Sequence, residues 1–500
     1  MTFPLQIPAG VAREATAATK SSNWRETNLI RWKNGRMAPI GGWEQQSLGP
    51  FASKLRRVHT WSDNNGIKRT LYLCEGHAYI DEGGVLTDIS PTPAIVLPSA
   101  DTEAGGFGDF TFSYDDFGTP RPTRTRIKVV APCYSVYNWG EEILFMTSAD
   151  GRLLRWRPAY PLEAANSVPD APAGNRCFVV TPERHVMLFT PLGNFRRFSW
   201  CDQENYSEWT VGVSTTAGFF DVEPAAQIVA ASLTTDGVIF WTTTNCYIIR
   251  YSGTPYIYSY NHLAEGTTPV SYASVCGTAV GTIWKSDSGF WNYNGAGVSP
   301  LECPVIGWVD DSYHEFLNRY EAACVNVMTT SEMWWFFTSA DAEDNDRFLI
   351  YNYREGWWSM GRAGRTCGFS SSYDSYPIMC DGEFVYKHEF GTAYPKADGL
   401  PWAETFTLNI DSGGVYSTVR QLQPDIGGGV GSVNLRFFYK GQRTGGAEVD
   451  SGVKTIREDG FVDVYETGRD FRMRVESANA LNPTWTFGQF LIDIIPRGRL

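Results

Sequence analysis

Six histidines, His59, His77, His185, His262, His314 and His388, are the residues of this 500-residue chain best suited to acid–base or metal chemistry. None stands at ligand spacing from another histidine or from a cysteine. The sequence therefore predicts no metal site, no cofactor and no His-based catalytic centre. The ten cysteines are Cys74, Cys133, Cys177, Cys201, Cys246, Cys276, Cys303, Cys324, Cys367 and Cys380. They are scattered through apolar runs without a C-x-x-C pair, which is the distribution of small buried hydrophobes. The nucleophile elbow G-x-S-x-G and the phosphate loop G-x-x-x-x-G-K-[ST] are both absent.

Two turns invite a closer look. SADGRLLRW, with Ser148, Asp150 and Trp156, and SDSGFW, with Asp287 and Gly289, are faintly similar to the S-x-D-x-G-x-T-W turn of sialidase-type propellers. Their Gly and Trp offsets differ from that pattern. Turn chemistry already accounts for the Asp and Ser, whose side chains cap nearby backbone N–H groups. Carboxylate pairs for glycoside hydrolysis are assembled in space, beyond the reach of spacing arguments. The Trp-rich run 333–337 and the Trp357–Trp358 pair suit either a core or subunit interface or a sugar-stacking platform. The resulting expectation is a non-enzyme with no catalytic, cofactor-binding or metal-binding residues. The alternative is a propeller-type glycosidase or carbohydrate-binding protein.

The elements that would position any such site are strands. Short β-branched and aromatic runs are bounded by Gly, Asp, Asn and Ser, and they come in pairs around a polar turn. The pairs lie at 71–80, 143–156, 186–200, 238–251, 282–293, 333–353 and 377–390. After a wide first interval they recur about every 40 to 55 residues, the period of propeller blades. A small sheet cannot bury its faces alone; stacking sheets around an axis buries both. The expected fold is all-β: a β-propeller-like domain over 51–400 with five to seven blades. A separate antiparallel β-sandwich or docked sheet follows over 401–500, where polar and apolar residues alternate. Residues 1–50 are expected to form an arm or blade-closing segment that buries Trp24, Trp32 and Trp43. Segment 99–126, rich in Gly, Asp, Thr and Pro, reads as a loop insertion. One short helix is expected over 310–325, with Ser312 and Glu315 as a capping box and Phe316, Tyr320 and Ala323 at helical spacing.

Charged residues make up only 19% of the chain and aromatics 14%, which excludes a disordered chain and leaves apolar surface for contacts. The formal net charge of −13 runs against phosphate-neutralising DNA binding and suits a wall past which DNA slides. No membrane-spanning segment and no secretory leader are visible, so synthesis in a host cytoplasm is expected.

A resemblance sharpens this reading. The opening IPAGVAREAT (7–16) and NWRETNLIRWKNGRMAPIGGW (23–43) resembles the start of tail proteins of short-tailed bacteriophages, the packaged-DNA stabilisation or tail accessory proteins. The matching positions are Asn28, Trp32, Gly35, Pro39, Gly42 and Trp43, with Arg36 two residues out of place before the proline. WCDQENYSEWT (200–210), the stretch 235–253, the run VCGTAVGTIWKSDSGFWNYNGAGVSPL and FRMRVES (471–477) follow in the same order. The 99–126 insertion has no counterpart. The resemblance implies a virion tail nozzle or tail hub: a homo-hexamer ring forming part of the DNA ejection conduit. Its partners would be the adaptor or head-to-tail connector above, tail fibre, spike or needle proteins nearby, and viral DNA in non-specific passage. The carbohydrate-binding alternative would make it a tailspike component.

Cytoplasmic synthesis predicts free thiols throughout. Alkylation without reductant, followed by mass spectrometry, is expected to label all the cysteines; two or more bridged pairs would refute the redox reading.

Overall fold

The computed structural model describes residues 2–13, 23–97, 132–312, 321–339, 342, 344–408, 410, 416–428, 432–441, 447–479 and 484–498. The insertion at 99–126, His314 and Glu315 lie outside the described residues.

Each apolar pair read from the sequence is the second and third strand of a four-stranded antiparallel sheet, and there are seven such sheets. Blade 1 is Leu55–Ser62, Lys68–Cys74, Ala78–Glu82 and Val85–Asp88; blade 2 is Tyr134–Trp139, Glu142–Thr147, Leu154–Trp156 and Asn166–Ser167. Blade 3 is Cys177–Val180, Val186–Phe189, Arg197–Trp200 and Gly218–Asp221; blade 4 is Ile228–Thr234, Gly237–Thr242, Asn245–Gly253 and Ile257–Glu265. Blade 5 is Val275–Thr278, Gly281–Ser286, Gly289–Tyr293 and Val298–Leu301; blade 6 is Ala323–Val327, Glu332–Phe337, Arg347–Asn352 and Trp358–Gly361. The first strands of consecutive blades touch, and that of blade 7, Cys367–Phe369, returns to that of blade 1. The chain is thus an all-β, propeller-like ring. Two tight turns depend on glycine: a Cβ on Gly237 or Gly281 would collide with the carbonyl oxygen of Ile249 or Tyr293 across the hairpin.

Blade 7 supplies only three strands from its own sequence: Cys367–Phe369, Ile378–Cys380 and Val385–His388. Its fourth is Trp43–Gln45, from ahead of blade 1, paired Trp43 to His388 and Gln45 to Tyr386. Trp43 is sealed in place. Its ring stacks on His388 at 4.8 Å, meets Tyr394 edge-on at 5.1 Å, and its Nε1 donates to the Pro395 carbonyl at 2.8 Å.

The remaining strands form two further sheets. One orders Ile30–Lys33, Arg36–Pro39, Thr486–Gly498, Tyr416–Gly427 and Val462–Gly468, with Thr2–Leu5 also on Thr486–Gly498. The other orders Trp24–Asn28, Trp402–Thr405, Asp470–Ser477, Val433–Lys440 and Glu448–Thr455. Asp470–Ser477 alternates partly exposed and buried residues along its length, the period-2 pattern of a one-sided strand. The apolar faces share one core, where Trp24 meets Phe487 edge-on at 6.3 Å. The sheets at the C-terminal end therefore draw strands from both ends of the chain.

These sheets are fastened to blade 6. The Thr27 hydroxyl donates to the Met360 carbonyl at 2.9 Å, Ser359 donates to the Ile30 carbonyl at 2.6 Å, and Trp32 packs edge-on against Trp357 at 5.5 Å. Arg31 reaches over blades 6 and 7, pairing with Glu389 at 2.6 Å and Glu332 at 2.8 Å. Burial works against the Arg31 charge, and the two carboxylates more than offset it; burial also pushes the almost fully enclosed Glu332 carboxyl upward, with Arg31 opposing.

The helix differs from expectation. Among the described residues it covers Ile306–Ser312, so it begins before Asp310 and Ser312 lies inside it rather than capping its start, and Ala323 begins the inner strand of blade 6. The buried helical stripe is Val305, Trp308 and Val309, directly after Pro304, whose fixed φ favours a first turn. Ala323–Val327 instead alternates buried and partly exposed residues, which is strand periodicity.

Trp43→Ala removes the ring that seals the last blade. It is expected to cost about 3–5 kcal/mol, as for other buried Trp truncations, read as a lower midpoint in urea unfolding.

Candidate assembly face and propeller axis

In a four-stranded antiparallel blade the turns joining strands 1–2 and 3–4 share one end of the ring, here called upper. The 2–3 turns and the crossings between blades occupy the lower end. This places the large exposed apolar side chains unevenly. Blade 1 carries Ile67 and Val85 at the upper end, blade 2 Tyr160 and Leu162, blade 3 Val211 and Val213, and blade 4 Tyr251 and Tyr256. Blades 5, 6 and 7 carry Val280, Met328 and Tyr373 there. Every blade contributes to this end. The lower end shows Val96, Leu97, Leu192 and Phe195 among the described residues.

The most exposed of these residues, Val213, sits on a braced loop. Residues 201–217 join strands 3 and 4 of blade 3 and include the N-x-x-x-W stretch singled out in the sequence. Asp202 accepts from the Thr216 N–H and hydroxyl, each at 2.7 Å, and closes the base of the loop. Tyr206 donates to Glu142 at 2.6 Å, accepts from Arg155 at 3.0 Å and meets Trp139 edge-on at 5.3 Å, tying the loop to blade 2. The Arg184 guanidinium covers Trp139 at 3.8 Å and pairs with Glu204 at 3.1 Å. Below, His185 is buried between the Thr216 hydroxyl at 3.2 Å and the Tyr258 hydroxyl at 3.0 Å. The tip of the loop projects Val211 and the fully exposed Val213. An ordered base under an unpartnered apolar tip is the anatomy of a contact anchor.

The axis of the ring is crossed by side chains. Tyr272, just ahead of blade 5, reaches Tyr137 and Ser135 of blade 2, and both tyrosine hydroxyls lie near Arg57 of blade 1. His59, one step along from Arg57, packs on Phe369 of blade 7 at 4.8 Å. At the lower end Arg56 pairs with Glu75 at 2.5 Å and with Glu321 ahead of blade 6.

The residues weighed for chemistry are structural in their surroundings. Asp150 pairs with Arg152 at 2.5 Å and accepts from the Val96 N–H at 3.0 Å; Ser148 accepts from the Cys133 N–H at 2.9 Å. Trp156 is buried edge-on to Trp61 at 6.3 Å. Strand Glu332–Phe337, which holds the Trp-rich run, is buried at every position, and Trp357 and Trp358 are buried with it. The cysteines are unbridged, and no group of three His, Cys, Asp or Glu forms a metal cradle among the described residues. A cleft of ≈ 310 Å³ between blades 7 and 1 was not visible to sequence spacing; Tyr373, Tyr376, Asp81, Asp374, Lys68 and Lys387 line it. Burial holds the Asp81 carboxyl above its usual range, and Asp374 adds to the effect.

No family model matches the chain, and no curated protein matches it. Among solved structures, the β-propeller domain of Cps50 (Swd1) from Myceliophteria thermophila is similar at 9% identity and a TM-score of 0.39, covering 69% of this chain and 99% of that domain. Strand pairing within the chain, not this likeness, defines the ring.

Buried neutral histidines set a pH dependence. Burial pulls His59 down to about 4, with Arg57 adding to it, lowers His185, and holds His388 well below the ordinary value. Below about pH 6.5 the unfolded chain takes up protons that the native ring refuses, so stability falls as pH drops; His59 alone accounts for up to about 3 kcal/mol by pH 4. Urea midpoints are expected to be lower near pH 5 than near pH 7.5, and an unchanged midpoint would refute the burial of these rings.

Proposed function

We propose that this chain is a non-enzymatic structural subunit of a short-tailed bacteriophage tail, six copies of which form a nozzle or hub ring around the DNA ejection path. The observation that carries the reading is the upper end of the propeller, where every blade offers an exposed apolar side chain and the 201–217 loop is braced to present two. Such a surface is the contact signature of an assembly subunit. Identical subunits meeting head-to-tail close into a ring when the rotation per subunit divides a full turn. The filled axis supports a conduit that runs between subunits, because the Tyr137, Tyr272 and Arg57 side chains leave no bore for a duplex within one propeller. The net charge of −13 disfavours retention of DNA on the wall. The order of motifs along the sequence supplies the tail identity, the ring number, and the partners: an adaptor or connector above, and fibre, spike or needle proteins nearby.

A carbohydrate-binding role as a tailspike component is favoured by one observation, the cleft between blades 7 and 1. Its tyrosines and acids are the groups that stack on and hydrogen-bond to sugars. Reproducible glycan turnover or binding lost with Asp81→Asn would favour this second reading.

Imaging of the particle that contains the chain decides between them: a closed ring coaxial with the DNA is expected, while one copy per particle or a fibre-tip position would sink the conduit. The double variant Leu162→Asp, Val213→Asp tests the contact face. Both positions are exposed, so fold stability is expected to change by no more than about 0.5 kcal/mol, whereas incorporation into particles is lost.

A further inference from the structure

The inner strand of blade 1, Leu55–Ser62, carries two consecutive arginines with opposite circumstances. Arg56 is held by Glu75 and Glu321. Arg57 points to the axis and, among the described residues, its guanidinium makes no hydrogen bond and no ion pair; its Nε is sealed from solvent without an acceptor. Beside it the Nε2 of His59 is sealed in the same way. Among the groups that feel the Arg57 charge are the hydroxyls of Tyr137 and Tyr272 and the thiol of Cys324. Blades 1, 2 and 6, together with the segment leading into blade 5, thus surround a cation that has no ion-pair partner among the described residues.

Enclosed charges in proteins are normally paired, because an uncompensated one loses hydration without replacement. A guanidinium presents a planar fork of N–H donors that matches carboxylate and phosphate oxygens. Arg57 is only half-buried, so part of that fork remains accessible. We propose that the propeller axis at Arg57 binds a small oxyanion of the phosphate or carboxylate class, gripped by the Arg57 fork, with the unpartnered His59 Nε2 as a further donor and the Tyr137 and Tyr272 rings beside it. The site is selective by size, since the same aromatic side chains that cross the axis bound the space around it. The inference is independent of the tail reading, which rests on the upper face.

The test uses the full chain exchanged into a chloride buffer, titrated calorimetrically with inorganic phosphate and, separately, with acetate. Saturable one-to-one binding of at least one is expected, weakened at least about tenfold by Arg57→Gln and unchanged by Arg362→Gln at the exposed rim. Binding of phosphate alone assigns that class, acetate alone assigns carboxylates, and both together assign charge and compactness as the criteria. If Arg57→Gln fails to fold, the wild-type His59 ring gives the readout by NMR. A bound anion offsets Arg57 and raises the midpoint of about 4 that burial and Arg57 impose, whereas an empty site leaves it in place. Absence of saturation up to about 10 mM of either anion, or binding that survives Arg57→Gln, overturns the proposal.

Discussion

The whole structure depends on the pairing of Trp43–Gln45 with Val385–His388. A blade is too small to bury both its faces, so each is stable only between two neighbours, and a row of them is stable only as a closed ring. Closure needs a bond between the two ends of the row. Here that bond is a fourth strand brought from ahead of blade 1 into blade 7, with Trp43 as its wedge. The constraint propagates outward. A chain that enters and leaves at one blade must put its remaining ends side by side, and these ends build a pair of sheets from strands on both sides of the propeller sequence.

Two ionic clusters show how the junction is kept in register. Arg31 ties the inserted segment to Glu332 of blade 6 and to Glu389 just past blade 7. Arg56 ties blade 1 to the approach to blade 6, bridging over blade 7 through Glu321. Enclosed ion pairs contribute little net stability over an apolar packing, because desolvation consumes most of the attraction. Their geometric demand is what matters at a seam. A one-residue slip of Trp43–Gln45 would turn Trp43 out of its place against His388 and Tyr394, so the misregistered closure is penalised.

Much of this was legible in the sequence, for identifiable reasons. The paired runs are visible because strand 2 of a blade is buried on both faces and reads as a near-continuous apolar stretch, as in ILFMT and MWWFF, with a half-buried strand 3 behind it. Strand 4 is exposed or mixed in most blades, as in Val85–Asp88 and Val298–Leu301, so outer blade edges were not legible. The burial of Trp24, Trp32 and Trp43 could be read from residue type, but the strand partners of that segment could not, since pairing across more than three hundred residues leaves no local trace. The helix begins earlier than the expected Asp310, with a buried stripe at Val305, Trp308 and Val309, and Ala323, which offered a helical spacing, lies in a strand. The axial meeting of Arg57, Tyr137 and Tyr272 was invisible, for it is made by residues from separate blades that only ring closure brings together.

The same closure divides the molecule into parts that can and cannot vary. Inner strands share an axis, so a change at Arg57 or Tyr272 is felt by several blades at once, and their residues are fixed by mutual packing. Upper turns touch only their own blade or the next, as Tyr206 does through Glu142 and Arg155. A turn can therefore exchange one apolar tip for another without disturbing the ring. Exposed residues placed there, as Val213 and Leu162 are, can change independently of stability. A propeller that separates these two demands gives an assembly a rigid body whose docking chemistry lies in its loops.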